Sequence, residues 1–299
     1  MDYERIDPDF DAVIGAGVQR RQIASGMLFT EGPVWIEKDN SLLFTDIPNN
    51  AIMRWSAADG LAVYDSNAHF AIGLYLDLHS RLIACEHTTR RLTRREVDGA
   101  ITVLASGFRG YILNSTNDVC VRASDGAIFF TDPPFGVRAE DGSLHGYQQA
   151  MEYGFCGVFK VTADPSAPHL VTDALYRPNG LCFSPDEKTL YVADSSDRYH
   201  QVYALDMTEQ DTAVNPRVFA VMPVGVPDGM RVDTEGRLYV AGLDGVYVFA
   251  PDGTLLGKLL VPEMVTNICF GGTGRRTLFA TACTSVYAFD LQTAGLQKP

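Results

Sequence analysis

The chain has 299 residues, enough to bury a sizeable core as one large domain or two smaller ones. Its 37 acidic against 24 basic residues give a formal charge of -13, which repels phosphate backbones and anionic membrane surfaces and sets nucleic acid and membranes aside as partners. The opening Met1-Asp2-Tyr3-Glu4-Arg5-Ile6-Asp7 has neither a basic nor an apolar targeting segment, and no later run reaches the length of a membrane span, so the expectation is a soluble cytoplasmic protein.

Residues 1–19 show no clear element and read as an N-terminal extension. From Arg21 onward, short strands alternate with turns. The first unit opens on Glu31-Gly32-Pro33-Val34-Trp35 and continues in strands at 42–45 and 52–55. The second opens on Ile72-Gly73-Leu74-Tyr75-Leu76, with strands at 82–85 and 91–94. The third opens on Asn117-Asp118-Val119-Cys120-Val121, with strands at 128–131 and 157–160. The fourth opens on Asn179-Gly180-Leu181-Cys182-Phe183, with strands at 190–193 and 202–205. The fifth opens on Asp228-Gly229-Met230-Arg231-Val232, with strands at 238–241 and 246–249. The sixth opens on Thr266-Asn267-Ile268-Cys269-Phe270, with strands at 278–281 and 286–289.

Successive openings lie 41, 45, 62, 49 and 38 residues apart, which brackets the roughly 40–50 residues of a four-stranded propeller blade. The six repeats predict one all-β domain over residues 1–299, a six-bladed β-propeller. The sixth repeat ends after three clear strands, and residues of about 20–29 are expected to supply its fourth and close the ring. The long spacing comes from an insertion at 133–153 in the third blade, which reads either as a lid or as a passive surface loop. Five of the six cysteines fall in apolar strand-like runs and there is no CxxC pair, so free core thiols are expected rather than disulfides.

In a propeller the innermost strands line a central channel, so the opening residues Glu31, Ile72, Asn117, Asn179, Asp228 and Thr266 would ring one of its mouths. Two carboxylates and two amide carbonyls make an all-oxygen site suited to a hard divalent cation, with Ca²⁺ first and Mg²⁺, Mn²⁺ or Zn²⁺ as alternatives. Each copy taken alone also reads as a turn residue, since Asn-Gly and Asp-Gly are common turn dipeptides. Their unequal distribution favours a site, because a purely structural repeat has no reason to mix Glu, Asn and Asp with Ile and Thr at one position. A second series of acids, Asp46, Glu86, Asp132 and Asp194, ends the second strands. It reads either as acceptors for backbone N–H groups of the next loop or as support for metal ligands. The six histidines show no HxxxH spacing, and there is no GxSxG elbow or phosphate loop.

Glu31-Gly32-Pro33-Val34-Trp35, Leu113-Asn114-Ser115-Thr116-Asn117-Asp118, Phe130-Thr131-Asp132-Pro133-Pro134-Phe135-Gly136, Arg177-Pro178-Asn179-Gly180-Leu181 and Pro227-Asp228-Gly229-Met230 together resemble the signature segments of the gluconolactonase / senescence marker protein 30 / luciferin-regenerating enzyme family. The resemblance runs from about Phe29 to Ala288. It implies a six-bladed propeller with one divalent metal ion, often calcium, and hydrolysis of a lactone. Glu31, Asn179 and Asp228 match the metal ligands, and Asn117 matches a position that joins them or holds substrate and water. Asp228 also matches the catalytic general base.

The sequence departs from that pattern at Ile72, where Asn is common, and at Tyr111-Ile112, where a basic pair is common. Ser115 stands where animal members carry Arg, and Cys156 replaces a frequent Gln. With Asn117 and Phe135 these positions form the expected substrate wall, more apolar than a sugar-lactone site. The expected partner is a small-molecule lactone or ester, and the assembly a monomer or small homo-oligomer. Other metal-dependent chemistry on the scaffold, such as phosphotriester hydrolysis or hydration and dehydration, and a non-catalytic metal-binding propeller are the alternatives.

Overall fold

The computed structural model describes residues 2–136, 151–162 and 167–296. Six antiparallel sheets are arranged as a six-bladed β-propeller. Blade 1 runs Thr30–Ile36, Ser41–Asp46, Ala51–Ser56 and Gly60–Asp65, each strand paired to the one before it. Blades 2, 3 and 4 repeat this meander, starting from Ala71–Leu76, Val119–Val121 and Pro178–Phe183. The ring closes as expected: Arg20–Ser25 pairs with Ser285–Asp290 and becomes the outer strand of blade 6, so its first and last strands come from opposite ends of the described chain.

The N-terminal extension is more ordered than its sequence suggests. Tyr3–Arg5 pairs with Leu255–Leu260 and gives blade 5 a fifth strand. The 3-10 turn Pro8–Phe10, capped by the Asp7 carboxylate on the Asp9 N–H (2.9 Å), then drops Phe10 into a fully buried site with Val13 and Ile14. An edge that would otherwise present unpaired backbone groups is thereby covered.

The core lies between neighbouring blades. Alternate residues of each strand face the blade on either side, and this two-residue period is what made the strands readable. Leu42, Phe44, Cys269 and Phe279 pack blade 6 against blade 1, and the Trp35 ring stacks on Phe279 with centroids 5.1 Å apart. Phe129, Phe130, Val158, Phe159, Leu181 and Val192 belong to a larger cluster joining blades 2, 3 and 4. All six cysteines are free thiols, five of them buried. Among the described residues, no helix is long and apolar enough to cross a membrane. Most of the 133–153 insertion, the candidate lid, lies outside the described residues.

Candidate active site

The openings of blades 1, 2, 4 and 6 lie at β-bulges. In blade 1 the pairing of the innermost strand skips from Glu31 to Val34, in blade 2 from Ala71 to Leu74, and in blade 4 from Pro178 to Leu181. A bulge leaves residues out of the ladder and re-aims their side chains; Ile72 and Asn179 are such residues, whereas Glu31 stays paired with Thr45 and the skipped positions are the two after it. The glycine that follows lets adjacent blades touch: Gly73 donates its N–H to the Asn117 carbonyl (2.9 Å), and a Cβ there would lie 2.4 Å from that oxygen.

The opening residues meet around one channel mouth. Asn117 donates from Nδ2 to Oδ1 of Asn179 at 2.6 Å, and the Asn179 amide in turn hydrogen-bonds the Asp228 carboxylate. Oε2 of Glu31 accepts from the Gly32 N–H (2.7 Å) and from Nδ2 of Asn267 (3.0 Å). Glu31, Asn117 and Asn179 are buried, whereas Asp228 keeps part of its surface exposed. Thr266 serves as a strut, its hydroxyl donating to the Thr30 carbonyl of the neighbouring blade at 2.7 Å.

Three acids of the second series clamp the backbone just ahead of an opening residue. Asp46 accepts the N–H groups of Leu28 and Phe29 (3.1 and 3.2 Å), two residues short of Glu31. Asp132 accepts those of Asn114 and Ser115 (2.6 and 2.8 Å), ahead of Asn117, and Asp194 those of Tyr176 and Arg177 (2.8 and 3.2 Å), ahead of Asn179. Glu86 behaves differently and binds Thr89, Arg91 and Thr93.

The other residues singled out in the sequence are placed as follows. Ile72 sits in the ring, 9% exposed, and its carbonyl accepts the Thr45 hydroxyl at 3.1 Å. Tyr111 and Ile112 stand on a short hairpin formed by Gly107–Phe108 and Tyr111–Ile112 and are 51% and 42% exposed. Phe135 is half-buried. Ser115 is fully buried; its hydroxyl donates to the Pro133 carbonyl (2.7 Å) and accepts the Gly136 N–H (2.9 Å), so it braces the wall and presents no free hydroxyl.

Two site residues were not singled out. Asp118 and Asn267, each one position after an opening residue, are 1% and 2% exposed. Deeper in the channel Arg231, 2% exposed, places Nη1 3.9 Å from Oδ2 of Asp118 and its guanidinium over the Tyr75 ring at 5.4 Å.

Glu31, Asp118 and Asp228 thus repel one another at the mouth, and of the three Asp118 meets the Arg231 guanidinium as an ion pair. Burial, together with the charge of Asp118, raises the pKa of Glu31 well above the usual carboxylate range. Asp228 is raised by burial and then by Glu31 and Asp118, and Asp118 is raised by burial against the pull of Arg231. Oδ1 of Asn117 and Oδ2 of Asp118 are buried with no hydrogen-bond donor. Orphaned acceptors beside mutually repelling carboxylates fit a hard cation. Among the described residues no three His, Cys, Asp or Glu side chains are grouped to hold a metal, so the amide oxygens of Asn117 and Asn179 would have to complete the donor set.

The chain is similar to known proteins over most of its length. A gluconolactonase of Zymomonas mobilis is 31% identical over 316 residues, covering 97% of this chain and 86% of that one. The solved structure of a gluconolactonase from Xanthomonas campestris superposes with a TM-score of 0.90 at 32% identity, covering 97% of this chain and 95% of that one. A regucalcin of Gallus gallus is 30% identical over 269 residues, 85% of this chain and 83% of that one. Residues 29–284 match the SMP-30/Gluconolactonase/LRE-like region, and the chain belongs to that family.

Proposed function

We propose that the protein is a lactonase that opens a cyclic ester by attack of water at the channel mouth, with Glu31, Asn179, Asp228 and Asn117 holding one divalent cation, Ca²⁺ first. The observation that carries the reading is the pairing of Glu31 and Asp228, two mutually repelling carboxylates, the first buried and the second partly exposed, joined to an amide relay. The relatives support it, since those similar over most of the chain include gluconolactonases. When bound, the cation polarises the lactone carbonyl and stabilises the negative charge that develops on its oxygen.

The chain's own residues supply the rest. Asp228, the exposed edge of the ring, accepts the proton of the attacking water and returns it to the departing alkoxide. The Asn117-to-Asn179 hydrogen bond holds the relay that orients it. The product is a hydroxy acid whose carboxylate is repelled by Glu31 and Asp118. No covalent nucleophile is required. Ile72 in the ring, with Tyr111 and Ile112 on the neighbouring hairpin, gives the wall an apolar character, and the reading is a lactone bearing an alkyl or aromatic substituent.

The test is acid release from a lactone by the purified protein, with and without chelator, in wild type and Asp228→Asn. Loss of activity under both treatments is the expected result. Activity that survives both overturns the mechanism. A melting temperature lowered by chelator, with no activity on any lactone, overturns the enzymatic reading and leaves a structural cation.

A further inference from the structure

We infer that Asn267 is a positioning residue of the mouth site: facing Asp118 across the channel, it floors the site and fixes Glu31 so that a single carboxylate oxygen is left for the mouth. The inference rests on the cation reading above.

The position after the opening residue is glycine in four blades, at Gly32, Gly73, Gly180 and Gly229, but Asp118 in blade 3 and Asn267 in blade 6. Those two blades stand three apart in a ring of six, on opposite sides of the axis. The space their side chains fill is the space the glycines leave open. A Cβ on Gly229 would lie 2.0 Å from Oδ1 of Asn267, and one on Gly73 would lie 3.1 Å from Oδ1 of Asp118. Both side chains are held by their own strands: Asp118 Oδ1 accepts the Val119 N–H and Asn267 Oδ1 accepts the Ile268 N–H, each at 2.8 Å.

With its carbonyl oxygen committed, Asn267 can offer only Nδ2–H groups to the channel. One goes to Oε2 of Glu31 at 3.0 Å. Oε2 of Glu31 already accepts the Gly32 N–H, so two donors saturate it and Oε1 alone is left for the mouth. Asparagine is suited to this place because it donates to Glu31, beside Asp118, without adding charge. Aspartate would add a fourth carboxylate to Glu31, Asp118 and Asp228, and leucine of similar volume would leave Oε2 short of a donor.

The experiment measures the dissociation constant of Mn²⁺ and Ca²⁺ by calorimetry for wild type and Asn267→Leu, with melting in chelator as the check on folding. Removing a group that orients a metal ligand costs about 10–100-fold in affinity, and a loss in that range is expected. In a Glu31→Gln background the same substitution should cost little more, because Asn267 acts through Glu31. If Asn267→Leu fails to fold, Asn267→Ser, which keeps an uncharged donor, takes its place, with a smaller loss expected. A folded variant that binds either ion as wild type does overturns the positioning role while leaving the proposed function standing, as do fully additive losses in the double variant. Wild type that binds neither ion overturns the cation reading, and this inference with it.

Discussion

Asn117 and Asn179, 62 residues apart in sequence, are joined side chain to side chain at 2.6 Å, and Asp228 is next in line. Asn179 is the middle link, accepting on one side and donating on the other. Asn179→Leu is expected to lower kcat/KM for lactone hydrolysis at least about 100-fold, as a lost ligand and a disordered base combine. It also leaves a buried Asn117 donor unpaired, at a cost of about 1–3 kcal/mol in stability. Steady-state kinetics beside denaturant unfolding checks both. Retention of kcat/KM within threefold of wild type would remove Asn179 from the site.

The Asp132 clamp makes a stability prediction with a definite sign. Burial pushes this carboxyl up to about 6, in spite of the bonds it accepts from Tyr153, Asn114 and Ser115. With a folded pKa above the unfolded value, the native state binds the extra proton. The contribution is therefore fully present below the unfolded pKa and is lost as pH rises through about 6. Asp132→Asn cannot titrate, so the gap between wild-type and variant unfolding free energies should move against wild type from pH 4 to pH 7. Urea unfolding at three pH values measures it, and a gap constant with pH would contradict the assignment.

How much of this was legible in the sequence depends on whether the signal was local. The second and third strands of every blade, such as Leu238–Gly242 and Gly245–Phe249, were announced by two-residue alternation and turn residues on either side. Closure by Arg20–Ser25 followed from counting strands. Tyr3–Arg5 was missed because three residues carry no periodicity and their partner is a blade edge 250 residues away. Asn267 was missed for a geometric reason: aligning the repeats pointed to Thr266, but the bulge changes which side chain reaches the channel, and the Thr266 hydroxyl is spent on backbone. The acids at the strand ends read either as acceptors for the following loop or as support for the ligands. Asp46, Asp132 and Asp194 instead grip the segment leading into their own blade, which only the sheet register reveals.

Cation binding should release protons. Glu31 is raised to about 7 and Asp228 is raised with it, so below neutrality the cation-free ring carries protons that a dication must displace. Affinity is expected to rise at least about tenfold per pH unit from pH 5 to about 7 and less steeply above it, as the Glu31 proton ceases to be exchanged. Titration calorimetry at pH 6 in buffers of different ionisation enthalpy should show a buffer-dependent heat that vanishes in Glu31→Gln. Equal heats in all buffers would mean that the ring is already ionised.

Phe10 gives a prediction confined to stability. It is fully buried, and a Cβ on Gly257 would lie 2.5 Å from its ring, so blade 5 is shaped around it. Phe10→Ala is expected to cost about 3–5 kcal/mol and to leave kcat/KM unchanged at a temperature where the variant is folded. A cost below 1 kcal/mol would show that the N-terminal segment is not part of the cooperative unit.

Ile72 is the ring position through which substrate choice can be tested. It is 9% exposed and occupies the blade-2 place in a ring whose blades 1, 3, 4 and 5 offer oxygen-bearing side chains. An apolar side chain there gives a lactone hydroxyl no partner, and an unpaired hydroxyl against an apolar wall is penalised on binding. Ile72→Asn places an amide there in a smaller side chain. The ratio of kcat/KM for gluconolactone to that for a γ-alkyl lactone is expected to rise at least tenfold, the scale of one buried hydrogen bond. The change should fall mainly on KM, since the residue contacts the ring and not the reacting bond. Wild type that already prefers gluconolactone strongly, or a variant with an unchanged ratio, would show that Ile72 does not touch the substrate and that the apolar wall lies elsewhere.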